Sequence, residues 1–260
     1  MKKKEILLIA VVLLSTGVLV QAQEHNLSGT FDVTYLSKYI WRGFDMYPNG
    51  HSAIQPSIDL DLYGTGLGTK ILWSRANTSG FEDNEWFIYT LYYKNNLFQT
   101  QTYTTDYTVG WGYYNYPDSS TKASDLQEFF ATFSWPEICP AGFVPSYTIV
   151  RMWPSRSNST FASDYGGWLH IFGLGYDIDA KDMIPQIPLR TIHLSTDLVY
   201  NDGVLGADSD WSHMVFGIAT DLEISSNLAF TPGVYYQSSW EDSVNNEDEV
   251  WAALSMKYKF

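Results

Sequence analysis

Three residues with the side chains of a nucleophilic catalytic triad, His193, Ser195 and Asp197, lie within five positions of one another. A serine becomes a nucleophile when a histidine accepts its proton and a third group orients that histidine. The spacing of two residues, however, predicts a shared face of one β-strand, on which neighbouring side chains lie about 6.5 to 7 Å apart. A direct serine–histidine hydrogen bond is hard to form at that distance, so we expect no catalytic site.

Metal and cofactor chemistry has little support in the residue types. The chain has five His residues without a tight cluster of metal-ligand spacing, and Cys139 is its only cysteine. We therefore expect neither a metal nor a cofactor. A single cysteine also excludes a disulfide framework, so the fold must be held together in another way.

The alternation of apolar and polar residues with period two is the main pattern of the chain. Across residues 53–63 apolar side chains occupy every second position, and residues 30–42 and 250–260 alternate in the same way. Helical spacing fits none of these segments, whereas strands of an outer-membrane barrel alternate between lipid and lumen over about 10 residues. The same rule predicts twelve strands, at 28–42, 53–63, 67–76, 86–95, 100–113, 126–135, 143–153, 166–177, 189–200, 210–223, 227–237 and 249–260.

Short and long connections alternate between these strands. Residues 64–66, 95–99 and 225–227 make short turns, and two further turns, 136–142 and 178–188, are longer and contain prolines. Short periplasmic turns and longer outer loops are typical of outer-membrane barrels. The long, mostly acidic connections predicted to face outward are 43–52, 77–85, 114–125, 154–165, 201–209 and 238–248.

Closure of the sheet distinguishes a membrane barrel from a soluble sandwich. In lipid every backbone amide needs a partner, and a closed barrel has no free edge. Aromatic residues make up 17% of the chain, as expected for two aromatic girdles at the membrane boundaries. Phe260 ends the last alternating strand, an ending typical of clients of the bacterial outer-membrane assembly machinery. We predict an all-β fold, a transmembrane antiparallel up-and-down barrel of about twelve strands.

The N-terminal residues predict export. Lys2, Lys3 and Lys4 precede an apolar run, and Ala22 stands at a suitable cleavage position. The prediction is a cleaved signal peptide at 1–22 and a barrel domain at 23–260 in the outer membrane, in contact with its lipid. An uncleaved anchor is the alternative, although the apolar run is shorter than the roughly 20 residues that a spanning helix needs. The net charge of −14 excludes nucleic acid as a partner.

Residues 37–43, Ser-Lys-Tyr-Ile-Trp-Arg-Gly, resemble the Ser-Asp-Tyr-x-aromatic-Arg-Gly signature of the TorF-like porin family, outer-membrane proteins of unknown function. Residues 53–56, 64–67 and 72–74 resemble the segments that follow in that family, with the order altered in 53–56. Lys38 stands where the family usually has an acidic residue. The resemblance implies a barrel and a porin.

The inward faces of the predicted strands carry the candidate pore-lining residues. Opposed charges across a lumen orient dipolar solutes and bias ion selectivity; alternatively, they form salt bridges that fill and stiffen the barrel. We expect Arg42 and Asp59, on adjacent strands, to lie on the same inward face near the outer rim. The candidates are Asp32, Lys38, Arg42, Asp59, Asp61, Lys70, Asp106, His193, Asp197 and His213, with Glu128, Lys257 and Lys259 on the same face.

The resemblance, together with the predicted barrel and its inward charges, implies a porin-like passive channel for small hydrophilic solutes. Two alternatives remain: a plugged structural or adhesin-type barrel with acidic outer loops, and an outer-membrane lipid-modifying hydrolase. The aromatic clusters at 86–89 and 111–114 fit either a sugar-binding surface or the membrane girdle, and we expect the girdle.

Overall fold

The computed structural model describes residues 27–119, 125–155, 165–180 and 189–260, so the predicted signal peptide at 1–22 lies outside the described residues. Twelve strands close into one antiparallel barrel, and two very short strands, β2 and β3, form a separate hairpin. The strands are β1 (Ser28–Leu36), β2 (Ile40–Trp41), β3 (Phe44–Asp45), β4 (Ala53–Asp61), β5 (Leu67–Ala76), β6 (Trp86–Leu97), β7 (Thr105–Asn115), β8 (Leu126–Ser134), β9 (Phe143–Pro154), β10 (Gly167–Asp179), β11 (Leu189–Asp202), β12 (Asp210–Glu223), β13 (Leu228–Ser239) and β14 (Glu249–Lys259).

The barrel closes where β1 pairs with β14, the last strand. Backbone hydrogen bonds of 3.0 Å join the amide of Gly29 to the carbonyl of Phe260 and the amide of Phe260 to the carbonyl of Gly29. β1 also pairs with β4, and each remaining barrel strand pairs with its two neighbours. The predicted closed barrel of twelve antiparallel strands is therefore confirmed.

The period-two pattern sorts side chains between the two faces of the barrel. On β1, Phe31 and Tyr35 are 45% and 40% exposed on the outer surface, whereas Asp32 and Thr34 line a cavity inside. A continuous exposed apolar surface of this kind marks a face that meets lipid. Other large apolar side chains exposed on the outer surface include Leu91, Phe129, Phe172, Ile218 and Val250.

The two rims of the barrel differ in their connections. The turn rim carries the short connections 62–66 and 224–227, together with Ser28 and Phe260. The loop rim carries connections 37–52, 77–85, 203–209 and 240–248. In the described parts of the chain, no helix combines the length and hydropathy needed to cross a bilayer.

The predicted first strand at 28–42 is wrong in its second half. β1 ends at Leu36, and residues 37–52, which we call the inserted loop, contain the hairpin of β2 and β3. Arg42 and Gly43 form its two-residue turn with φ angles of 53° and 95°. Two positive φ values are the requirement of a type I′ hairpin turn, so the chain reverses where the alternation suggested a continuing strand. The fifth strand also starts later than predicted, at Thr105.

Candidate functional site

The inserted loop fills the loop-rim half of the lumen with aromatic side chains. Tyr39 and Tyr47 are 5% and 0% exposed, and Trp86 of β6 is completely buried against them. The ring centroids of Tyr39 and Trp86 are 6.0 Å apart at 89°, and those of Trp41 and Trp86 are 4.9 Å apart at 68°. Trp41 also contacts Tyr114 of β7 edge-on at 5.6 Å. Edge-to-face packing of this kind is a favourable aromatic arrangement, so the loop is packed like a protein core.

Arg42, at the tip of the hairpin, anchors the loop to the wall of β8 and β9. Its Nη2 atom lies 2.5 Å from Oε2 of Glu128, and its Nη1 atom lies 3.7 Å from Sδ of Met152. The two charged side chains are 16% and 7% exposed. The guanidinium carbon also lies 4.6 Å from the ring centroid of Trp41. Removal of either partner from a nearly buried ion pair is strongly destabilising, because the remaining charge is left buried without a partner.

A second set of contacts anchors the loop to the opposite wall. Nζ of Lys38 lies 2.5 Å from Oε2 of Glu249 on β14, and Nε2 of Gln237 on β13 donates a 2.9 Å hydrogen bond to the carbonyl of Gly43. A Cβ atom at Gly43 would lie 2.5 Å from the ring of His213 on β12. The loop thus spans the lumen between facing walls, with its backbone in close contact with β12.

The loop's environment shifts the pKa values of its polar groups. The hydrogen bond to Glu249 raises the pKa of Lys38 and outweighs the opposing effect of burial. Burial raises the pKa of Asp45 and raises the pKa of the Tyr47 hydroxyl to about 12. At neutral pH Lys38 is therefore charged and Tyr47 is protonated.

Between the inserted loop and the turn rim the lumen stays open. A cavity of about 530 Å³ is lined by polar side chains, among them Asp32, Asp59, Lys70 and Lys257. A second pocket of about 320 Å³ shares Asp59 with it and extends to residues at the turn rim. The two pockets are neighbours on the inner face of the barrel, and the second lies at the turn rim, beside Ser28 and Phe260.

The strand register places most of the predicted site residues on the inner face. Asp32 pairs with Lys257, and Asp59 pairs with Lys70, both pairs lining the cavity. Strand alternation and cross-strand pairing put the remaining strand candidates on this face as well: Asp61, Asp106, His193, Asp197 and His213, together with Glu128 and Lys259. Lys38 and Arg42 reach the lumen from the inserted loop instead.

The prediction that Arg42 and Asp59 lie together on adjacent strands near the outer rim is wrong. Arg42 pairs with Glu128, because the hairpin carries it away from the adjacent strand and across the lumen. Asp59 lies near the turn-rim end of β4, where it accepts a 2.7 Å hydrogen bond from the hydroxyl of Tyr92.

The three residues of triad type do not form a charge-relay arrangement. The ring nitrogens of His193 face Asp177 of β10 at 2.7 Å and Asp221 of β12 at 3.2 Å. Both nitrogens are therefore occupied by carboxylates, which leaves neither to accept the Ser195 proton. Among the described residues, no group of three or more His, Cys, Asp or Glu is arranged to hold a metal ion.

Sequence reasoning missed two of the anchoring residues, Gln237 and Glu249. Each stands at an inward position near the loop-rim end of its strand. The alternation could have marked both as facing inward, but it contains no information about contacts with a loop about 200 residues earlier in the chain. The alternation also predicts that Glu128 faces inward, but it does not identify Arg42 as its partner.

Comparisons with known proteins show the fold. No family model and no curated protein sequence matches the chain. Among solved structures it is similar to the NanC porin, with 9% identity and a TM-score of 0.55, over 88% of this chain and 100% of that chain. An outer-membrane channel from Pseudomonas putida F1 has 10% identity and a TM-score of 0.47, over 93% and 100% of the two chains. LpxR from Salmonella typhimurium has 11% identity and a TM-score of 0.43, over 88% and 99%. The likeness to the NanC porin shows that this chain has the β-barrel fold of an outer-membrane protein.

Proposed function

We propose that this chain is an outer-membrane channel for small hydrophilic solutes, held closed here by the inserted loop. The observation that carries the proposal is a cavity of about 530 Å³ on the inner face of the barrel, lined by charged and other side chains, together with a loop that spans the lumen between facing walls. A strand of the barrel wall could not move aside without breaking the backbone hydrogen bonds that close the barrel. The inserted loop can leave the lumen, because among the described residues only its two ends make backbone hydrogen bonds to the wall, from Ser37 to Ala252 and from Asn77 to Ser52. Its central part is anchored by side-chain contacts, and the pairing of β1 with β4 and β14 does not depend on it.

The resemblance and the fold likeness support the same function. The segment that resembles the TorF-like porin signature, residues 37–43, lies in the inserted loop itself. The NanC porin shares the barrel fold. We propose that the turn rim faces the periplasm and the acidic loop rim faces the cell exterior, as the loop asymmetry favours, and that residues 1–22 are a cleaved signal peptide.

Planar-bilayer recording of the purified, folded protein tests this proposal. Leu36 and Ala53 are directly paired across β1 and β4, so an Asn-Gly turn can replace residues 37–52 and remove the inserted loop. We expect brief discrete openings from the wild-type protein and a permanently open channel from the shortened variant. A gel-mobility change on boiling shows that both proteins are folded.

A plugged structural barrel is the second candidate. The complete burial of Tyr47, Trp86, Met152 and Leu169 favours it, because a lumen packed like a core resists opening. This candidate predicts that the shortened variant conducts while the wild-type barrel never opens at any applied voltage. That pair of results would overturn the channel proposal.

We propose transport rather than catalysis. The occupied ring nitrogens of His193 support this choice. The test is a lipid-hydrolysis assay with the wild-type protein and the variants His193→Ala and His213→Ala. Hydrolysis by the wild type that disappears in either variant would show an enzyme.

A further inference from the structure

Four charged side chains form a row along one wall of the lumen cavity. Lys70, Asp59, Asp32 and Lys257 come from the neighbouring strands β5, β4, β1 and β14. Asp59 is the direct cross-strand partner of Lys70, and Asp32 is that of Lys257. The row is staggered at its centre, because Asp32 pairs with Ser57 and Asp59 with Thr30, which makes the two carboxylates diagonal neighbours. The row therefore has two carboxylates in the centre and one ammonium at each side, with no net charge.

These groups do not neutralise one another by direct contact. Asp32 accepts hydrogen bonds from the hydroxyls of Thr34, at 2.6 Å, and Ser255. Asp59 accepts one from Tyr92. Within the described part of the chain, neither lysine ammonium in the row has a carboxylate within 4.0 Å or a hydrogen-bond acceptor. The carboxylates are thus held by hydroxyl donors, while neither ammonium group is occupied by a direct contact. Lys257 also interacts electrostatically with Asp221 of β12, which lines a neighbouring pocket with it.

An aromatic surface borders the same cavity. Tyr235 and Trp251 stack with centroids 5.4 Å apart and an interplanar angle of 16°. The ring of Tyr235 lies flat against the wall because Gly217 and Gly233 leave room for it. A Cβ atom at these glycines would lie 2.8 and 3.1 Å from the ring. The cavity therefore offers an apolar surface beside balanced charges.

We infer that the cavity binds a small zwitterion with an apolar side chain, an amino-acid-like solute. Its carboxylate would contact Lys70 or Lys257, and its ammonium group would contact the central carboxylates, which retain free lone pairs. Its apolar part would lie against Trp251. The cavity volume of about 530 Å³ suits a small molecule. The inference rests on the proposed channel function and names the class of solute.

Titration calorimetry on the folded, detergent-solubilised protein tests the inference with three probes. L-phenylalanine carries both charges, 3-phenylpropionate only the carboxylate, and phenethylamine only the ammonium group. We expect phenylalanine to bind about tenfold or more tightly than either analogue, since a hydrogen bond to a charged group contributes that much. Equal binding of the three probes, or no binding of phenylalanine, would overturn the inference.

Matched variants locate the binding. The double variant Lys70→Gln/Lys257→Gln should weaken phenylalanine and 3-phenylpropionate about tenfold and leave phenethylamine unchanged. Asp32→Asn should weaken phenylalanine and phenethylamine only. Lys94→Gln is the control, because Lys94 is already paired with Asp61 at 3.1 Å near the turn rim, and it should bind like the wild type.

The binding and conductance results separate the two proposals. Binding in detergent does not require the inserted loop to move, so a silent channel that binds phenylalanine removes the channel function and keeps the site. A conducting channel without phenylalanine binding removes only this inference. If Lys94→Gln weakened phenylalanine binding as much as the Lys70→Gln/Lys257→Gln double variant does, the binding site would lie elsewhere and the inference would be overturned.

Discussion

Removal of the Glu128 carboxylate tests whether an ion pair holds the inserted loop in the lumen. In Glu128→Ala the Arg42 guanidinium loses its partner at 2.5 Å while it remains 16% exposed among Trp41 and Met152. Breaking a buried pair from one side costs about 3–5 kcal/mol. We use the lower value, because the contact with the Trp41 ring persists.

That cost applies only while the loop is seated, since water solvates Arg42 once the loop leaves. About 3 kcal/mol corresponds to a factor of about 100 in the equilibrium between the seated and displaced loop. Single-channel recording in planar bilayers should therefore show an open probability about a hundredfold above that of the wild type. Arg42→Ala/Glu128→Ala should open less often than Glu128→Ala, because no unpaired charge stays buried.

Glu85→Ala is the matched control. Its partner Arg75 has a side chain that is 55% exposed, and the two are 3.4 Å apart. Glu85 itself is 8% exposed, but the Arg75 charge that its removal leaves behind is in contact with water. Loss of the pair should therefore cost about 1 kcal/mol or less, so the open probability should change by less than about fivefold. If folded Glu128→Ala opens no more often than Glu85→Ala, the ion pair does not hold the loop and the reasoning is refuted.

Three further predictions concern the loop and the closure of the barrel. Gly43→Ala should displace the loop, because the φ angle of Gly43 is 95° and the new Cβ would lie 2.5 Å from the His213 ring. Protease should then cleave the loop faster than in the wild type, and an unchanged cleavage rate would contradict the prediction. The pKa of Lys38 is raised above its usual 10.5 by Glu249, so the ion pair is complete below that pH and is lost as the pH rises through the raised value. Channel opening should then be constant from neutral pH up to the usual lysine pKa of 10.5 and should rise as the pH passes the raised pKa of Lys38, a rise that Lys38→Met should abolish. Deletion of Phe260 removes two 3.0 Å backbone hydrogen bonds to β1 and should destabilise the barrel by about 1–3 kcal/mol. The gel-mobility change should then occur at a lower temperature, whereas Phe260→Leu should retain most of the stability.

The alternation along the chain determined the barrel to a large extent. Residues 53–61 and 249–259 alternate because one face meets lipid and the other the lumen, and the structure has strands there with those faces. The less regular segments predicted as strands at 143–153 and 166–177 are also strands, at Phe143–Pro154 and Gly167–Asp179. Each strand obeys a local rule that its own residues express, so one sequence suffices to find it.

The contents of the lumen were decided by the tertiary structure. Residues 38–42 continue the alternation of β1, so period two cannot distinguish a longer strand from a hairpin folded inward. The chain leaves the barrel wall after Leu36 and then reverses at Arg42 and Gly43, and Arg42 is not a residue that predicts a positive φ.

The partners of the inserted loop follow from the closure of the barrel. Arg42 and Glu128 are 86 residues apart in the chain, and Lys38 and Glu249 are 211 apart. No local pattern joins such residues, because their meeting depends on how many strands lie between them and how those strands are registered. The sequence by itself therefore determined the wall of this barrel and which side chains face inward. The tertiary structure alone decided which of those side chains meet and that a loop lies across the lumen, because both depend on the closure of the barrel wall around the loop.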